Sequence, residues 1–101
     1  MLINLLKNAL KFTRQGKITI EACYILSQHQ LQVKIIDTGV GIESSEAEKL
    51  FKPYGKLKNS VTQSHNPEGI GLGLQICKNL VHHNGGKICV KSAGKGEGST
   101  F

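Results

Sequence analysis

The amino-acid sequence predicts a single α/β domain in which helices and β-strands alternate along the chain. Apolar residues recur at three- and four-residue steps over 1–13 and again over 72–81, which indicates two amphipathic helices. Apolar and polar residues alternate over 17–25 and 31–36, which indicates two strands. Because only the short turn 27–30 separates these strands, we expect them to pair as an antiparallel hairpin.

The composition excludes several classes of protein. No apolar stretch reaches membrane-spanning length, and the N-terminus lacks the charged-then-apolar layout of a signal peptide. The three cysteines are odd in number and widely spaced, which favours apolar fillers in a reducing compartment over disulfides or a metal site. The formal net charge of +6 suggests an anionic partner. Since the 13 basic residues are scattered, we expect a polyphosphate rather than nucleic acid.

The first predicted helix carries a polar stripe beside its apolar one. The polar stripe consists of Asn4, Lys7, Asn8 and Lys11. Asparagine is a poor helix former, but its amide oxygen can bind a hard cation without adding charge, and lysines can neutralise phosphate. The pattern therefore favours a cation and phosphate site, and an ordinary solvated helix face is the alternative.

The second strand ends in Asp37-Thr38-Gly39-Val40-Gly41. A carboxylate at a buried strand end can accept a hydrogen bond from an amino group. Glycines without a Cβ let the backbone turn sharply and let a flat ligand lie close against it. The alternative is an Asp-initiated turn that only reverses the chain.

A third, shorter helix is predicted over 42–51. The pattern Ser45-x-x-Glu48 is typical of a capping box, and Leu50 and Phe51 are expected to anchor the helix on the core. The following residues, 53–68, show no periodicity. We expect them to form a mobile cover over a ligand, with a plain flexible loop as the alternative.

A glycine-rich stretch, 69–74, runs directly into the helix that Asn84-Gly85-Gly86 closes. Backbone N–H groups exposed before a helix N-terminus can bind an anion, although the spacing is neither a Rossmann fingerprint nor a P-loop. Beyond that helix, alternation predicts a strand over 87–92, and a glycine-rich turn over 93–98 leads into the start of another strand at 99–101.

Taken together, these segments resemble the catalytic ATP-binding domain of sensor histidine kinases (HATPase_c). The similar segments are an N box (4–13), a G1 box (37–41), an F box (50–54), an ATP lid (53–68), a G2 box (69–74) and an ending over 96–101. The resemblance implies one domain over residues 1–101 with the Bergerat ATP-binding fold. That fold is a two-layer α/β (α+β) sandwich, in which helices cover one face of a mixed, mostly antiparallel sheet.

The resemblance also implies that the ligands are ATP and Mg²⁺. Asn8 would coordinate the metal with Asn4 in support, and Lys11 would contact phosphate, so that these three residues form the catalytic set. Phe12 would lie against the adenine ring, and Asp37 would accept a hydrogen bond from its amino group. The implied nucleotide-binding residues are Asn8, Lys11, Phe12, Asp37, Gly39, Gly41, Ile42, Phe51, Tyr54, Lys56, Lys58, Gly69, Gly71, Leu72, Gly73 and Leu74.

The type of reaction depends on one position in the N box. Members of the superfamily that hydrolyse ATP carry a Glu one helical turn before the metal-binding Asn, where it activates water. Here that position is Asn4, which takes no proton at neutral pH. The resemblance therefore implies transfer of the γ-phosphoryl group to a histidine, and a non-catalytic nucleotide-docking module or an ATPase remain the alternatives.

The implied partners are a histidine-containing dimerisation domain and, downstream, a response-regulator receiver domain. No nucleic-acid contact and no membrane insertion are expected, and the location is cytoplasmic or the cytosolic part of a membrane-bound kinase. None of the four histidines is in a phospho-acceptor context. The sequence also lacks the residues that usually precede the N box and the end of the closing strand. We therefore expect a fragment, truncated at both ends, that does not autophosphorylate alone.

Overall fold

The computed structural model describes residues 2–52 and 73–101, which form an α+β arrangement. In chain order the elements are α1 (Leu2–Phe12), β1 (Ile18–Ile25), a 3₁₀ turn (Leu26–Gln28), β2 (Gln30–Asp37), α2 (Ser44–Ala47), α3 (Gly73–His83) and β3 (Ser99–Thr100). The predicted ATP lid therefore lies outside the described residues. No helix among the described residues is long and apolar enough to cross a membrane.

The three strands form one sheet in the order β1-β2-β3, and both pairings are antiparallel. The hairpin runs from Ile18 opposite Asp37 to Ile25 opposite Gln30, which confirms the predicted pairing of β1 with β2. On its other side, β2 meets β3, with Asp37 opposite Ser99. The central strand β2 thus places Asp37 opposite Ser99, a residue near the other end of the chain.

The core lies between the sheet and two helices on one of its faces. Leu5 and Ala9 of α1, Ile35 of β2 and Cys77 of α3 form the buried cluster. Ile35 and Cys77 are almost completely excluded from solvent. The predicted layout of helices on one face of an antiparallel sheet is confirmed, and it fixes α1 directly over β2.

The predicted helix over 42–51 is too long, because α2 ends at Ala47. The predicted capping box is also absent, since Glu43 is the N-cap residue and no side chain caps the helix. Beyond α2 the backbone N–H of Leu50 donates a hydrogen bond of 3.4 Å to the carbonyl of Ala47, three residues earlier. The chain therefore continues as successive turns and not as an α-helix. These turns bury Leu50 and bring Phe51 edge-on to Phe101, with ring centroids 6.3 Å apart, so the predicted anchoring holds.

The strand predicted over 87–92 is reduced to one bridge. Lys91 and Thr100 exchange two backbone hydrogen bonds of 2.8 Å, and no longer ladder forms there. In an antiparallel register the next pair along from this bridge would be Val90 with Phe101. The backbone of Phe101 pairs instead with Ile35, through two bonds of 2.9 Å.

Candidate functional site

The candidate site is organised around Asp37, whose residue surface is only 4% exposed. Its Oδ1 accepts a 2.9 Å hydrogen bond from the backbone N–H of Gly39, and its Oδ2 accepts one of 2.6 Å from the hydroxyl of Ser99. An ionised carboxylate offers about four lone-pair positions, so each oxygen retains capacity for another donor. Asp37 is therefore a buried, oriented acceptor, as the sequence predicted for a strand-end carboxylate.

The turn from Asp37 to Gly41 is docked against the C-terminal end of α1. The backbone N–H of Val40 donates to the carbonyl of Phe12 at 3.2 Å. A Cβ placed on Gly39 would overlap that same carbonyl oxygen. Phe12 follows Asn8 by one helical turn, a rise of about 6 Å. The turn and the end of the polar stripe on α1 therefore meet at one corner of the molecule.

A glycine-rich loop, Ser92 to Gly98, covers the other side of this turn. Gly41 has a positive φ of 71°, and a Cβ there would overlap the carbonyl oxygen of Gly94. The backbone N–H of Gly96 donates to the carbonyl of Val40 at 2.7 Å. Any side chain at position 41 would therefore push the turn away from the loop.

The lysines of α1 and of the glycine-rich loop differ in their contacts with other described residues. Lys95 in the loop forms an ion pair with Glu43, with 2.9 Å between Nζ and Oε1, and this hydrogen bond raises the pKa of Lys95. The Nζ of Lys11 lies 5.4 Å from the ring centroid of Phe12, a cation–π distance. Among the residues that the structure describes, neither Lys7 nor Lys11 forms an ion pair.

Comparison with protein families decides the identity. The profile described as histidine kinase-, DNA gyrase B- and HSP90-like ATPase, HATPase_c, matches residues 1–101. The chain belongs to this family. It is 42% identical over 104 residues to the sensor protein GacS of Pseudomonas syringae pv. syringae. It is also 42% identical over 107 residues to hybrid signal transduction histidine kinase L of Dictyostelium discoideum.

Both alignments cover all of this chain but little of the relatives, 11% of the first protein and 6% of the second. Among solved structures, full-length ShkA in complex with AMPPNP is similar, with a TM-score of 0.80 and 28% sequence identity. That match covers 99% of this HATPase_c chain and 19% of ShkA. The relatives are therefore much longer proteins, of which this fold is one part.

The described part of the HATPase_c chain contains half of the other predicted site residues. Asn4 and Asn8 are both partly buried on α1, and Ile42 is buried beside the turn. Leu74 packs against the core cluster, whereas Gly73 begins α3, and a Cβ on it would meet none of the described residues within 4 Å. The predicted site residues that lie outside the described residues are Tyr54, Lys56, Lys58, Gly69, Gly71 and Leu72.

Two serines in the site carried no predicted role. Ser99 is nearly buried and bonds Asp37, and the hydroxyl of Ser92 accepts a 3.0 Å hydrogen bond from the backbone N–H of Ile42. Ser99 and Asp37 are 62 residues apart in the sequence, and Ser92 and Ile42 are 50 residues apart. Local periodicity therefore carried no signal for either contact. The only available cue was that each serine flanks the glycine-rich segment 93–98.

Proposed function

We propose that this HATPase_c chain binds Mg-ATP and, as part of a sensor histidine kinase, donates the γ-phosphoryl group to a histidine on a separate dimerisation domain. The observation that carries the proposal is the buried Asp37 carboxylate, held by Ser99 and Gly39 beside the end of α1. The family and the names of the relatives, which include a sensor protein and a hybrid histidine kinase, support it.

Asp37 would select adenine. Its oxygens already take one donor each, and the remaining lone pairs would accept a hydrogen bond from the 6-amino group of adenine. Guanine presents a carbonyl oxygen at that position, and two acceptors facing each other leave a buried group unpaired at a cost of about 1–3 kcal/mol. Phe12, whose carbonyl bonds the turn, would lie against the base, and Gly39, Gly41 and Ile42 would border it.

The polar stripe of α1 would bind the triphosphate. Among the described residues, no three His, Cys, Asp or Glu side chains gather into a metal-binding group. Amide oxygen is a suitable ligand for Mg²⁺, which commonly combines one or two protein ligands with phosphate oxygens and water. Asn8 would therefore hold the metal with Asn4 in support, and Lys7 and Lys11 would neutralise phosphate charge. Bound Mg²⁺ would supply further neutralisation of that charge.

Transfer rather than hydrolysis follows from the chemistry of Asn4, because an amide cannot take a proton from water as a general base would. Phosphoryl transfer depends mainly on positioning and charge neutralisation, which the remaining side chains can provide. The acceptor histidine would come from the dimerisation domain of the longer protein, and a receiver domain would take the phosphoryl group next. We place the reaction in the cytoplasm, where ATP is supplied.

Calorimetry tests the nucleotide site directly. We expect the protein to bind Mg-ATP at least tenfold more tightly than Mg-GTP. Asp37→Asn should lose most of that preference. The control variant Ser27→Ala, on the exposed hairpin connection, should keep it. Equal binding of ATP and GTP by the unmutated protein would show that Asp37 does not select the purine.

A γ-labelled ATP experiment with an added histidine-containing dimerisation domain tests the reaction. Label on that domain supports the kinase function. Label that stays on ATP points instead to a docking module, and free labelled phosphate points to an ATPase.

A further inference from the structure

The hydroxyl of Ser92 connects two backbone segments at the candidate site. It accepts hydrogen bonds from the N–H of Ile42 at 3.0 Å and of Gly94 at 3.3 Å, and its proton points to the carbonyl of Gly98 at 2.6 Å, with the carbonyl of Gly94 a more distant acceptor at 3.2 Å. A serine hydroxyl has one proton and two lone pairs, so the two N–H groups and the Gly98 carbonyl use its whole capacity. Ser92 is therefore a junction between the Gly41–Ile42 turn and the glycine-rich loop.

Both ends of this junction border the proposed purine pocket. Ile42 directly follows the turn that begins at Asp37, and Gly98 directly precedes Ser99, which donates to the Asp37 carboxylate. A Cβ on Gly98 would overlap the carbonyl oxygen of Asp37 and come within 3.0 Å of the Cα of Thr38. The backbone of Gly98 is therefore in close contact with the end of β2. The position of Ser99 relative to Asp37 therefore depends on where the loop holds Gly98.

We propose that Ser92 is a positioning residue for purine selection, which keeps the Ser99–Asp37 pair aligned with the turn on the opposite side of the pocket. The inference rests on the proposed binding of ATP at Asp37. Without the hydroxyl, the N–H of Ile42 and the carbonyl of Gly98 each lose their side-chain partner in a partly buried setting. The loop can then move away from the turn, and Ser99 moves with it.

The test compares ratios of dissociation constants rather than single affinities. For Ser92→Ala we expect the preference for Mg-ATP over Mg-GTP, measured by calorimetry, to fall roughly tenfold, the equivalent of about one lost buried hydrogen bond. The exposed Ser27→Ala keeps the ratio of the unmutated protein. A role in stability alone would weaken both nucleotides equally, so an unchanged ratio in Ser92→Ala overturns the inference.

A second variant and a second readout keep the test decisive. If Ser92→Ala does not fold, Ser92→Cys carries the same comparison, because a thiol has nearly the same shape and is a much weaker hydrogen-bonding group. Amide hydrogen exchange should accelerate at Ile42 in the variant while Gly39, bonded to Asp37, stays protected. Equal protection of Ile42 in the variant and the unmutated protein overturns the inference.

The two proposals fail in different ways. If the unmutated protein does not distinguish ATP from GTP, the proposed function at Asp37 is wrong and this inference falls with it. If the unmutated protein does distinguish them and the Ser92 variant does so equally well, only the positioning role is wrong.

Discussion

Ser99 and Asp37 stand opposite each other in the antiparallel pairing of β3 with β2, and the Ser99 hydroxyl donates a 2.6 Å hydrogen bond to Oδ2 of Asp37. The distance lies in the short range typical of hydroxyl donors to carboxylates. Since the Gly39 N–H holds Oδ1 at 2.9 Å, both oxygens are fixed from the protein side. The carboxylate is therefore presented in one orientation before any ligand arrives, which lowers the ordering cost of binding.

Removing the Ser99 hydroxyl should weaken adenine recognition. We expect Ser99→Ala to lower the affinity for Mg-ATP about tenfold, because a nearly buried carboxylate oxygen loses its partner and its fixed orientation. Ser99→Thr keeps the hydroxyl and should stay within about threefold of the unmutated protein. Calorimetry measures both, and a Ser99→Ala protein with unchanged affinity would show that the Ser99–Asp37 bond does not contribute to binding.

Asn8 should act on the metal-bound triphosphate and not on the base. We expect Asn8→Ala to weaken binding of Mg-ATP about tenfold while leaving adenosine binding unchanged, because the amide is proposed as a metal ligand one helical turn before Phe12. Lys78→Ala on α3 is a control that also removes a polar helical side chain. Equal losses for Mg-ATP and adenosine in Asn8→Ala would show that the residue supports the fold or the base instead.

Local patterns predicted the helices and the hairpin because those elements are held by neighbours in sequence. The periodicity of α1 and α3 and the alternation of β1 and β2 are properties of short windows, and the structure confirms all four. The predicted third helix ends early, at Ala47, and the Phe51 ring beyond it meets Phe101, a distant contact that no short window contains. The prediction of a strand over 87–92 was wrong for a related reason. Alternation of apolar and polar residues does not determine which other strand the segment pairs with, and only the Lys91–Thr100 bridge forms there.

The candidate site likewise has a part that local sequence patterns predicted and a part that they could not predict. The burial of Asp37 followed from its position at the end of an apolar strand, and it is confirmed. Ser99 and Ser92 could not be found by periodicity, because the register of a two-residue strand and the path of a glycine-rich loop are set by tertiary contacts. The roles of Asn4, Asn8 and Lys11 remain predictions, which the proposed experiments address.

The ion pair between Lys95 and Glu43 should give a defined pH dependence. The hydrogen bond that Lys95 donates to the Glu43 carboxylate raises the pKa of Lys95 above its ordinary value of 10.5. A group whose pKa is raised on folding contributes its full stability below the unfolded pKa and loses it as the pH rises through the folded pKa. The protein should therefore unfold at a slightly higher temperature than Lys95→Gln at pH 7–9 in low salt. The difference should begin to fall near pH 10.5 and disappear as the pH rises through the raised pKa of Lys95.

Two controls accompany that measurement of melting temperatures. The difference should shrink in about 1 M salt, where exposed charges are screened. Lys49→Gln, at an exposed lysine without an ion pair among the described residues, should show no comparable pH dependence. A stability difference for Lys95→Gln that persists unchanged at pH 11 would mean that the ion pair is not its source.

The contact of Gly39 with α1 should make that position intolerant of any side chain. We expect Gly39→Ala to lower the free energy of unfolding by about 1–3 kcal/mol, because the new Cβ overlaps the carbonyl oxygen of Phe12 and approaches Oδ1 of Asp37 to 2.9 Å. Gly73→Ala is the matched control, since a Cβ there meets no atom of the described residues within 4 Å and alanine favours a helix. Urea denaturation measures both variants. If Gly39→Ala is as stable as the unmutated protein, the turn does not depend on close contact with the end of α1.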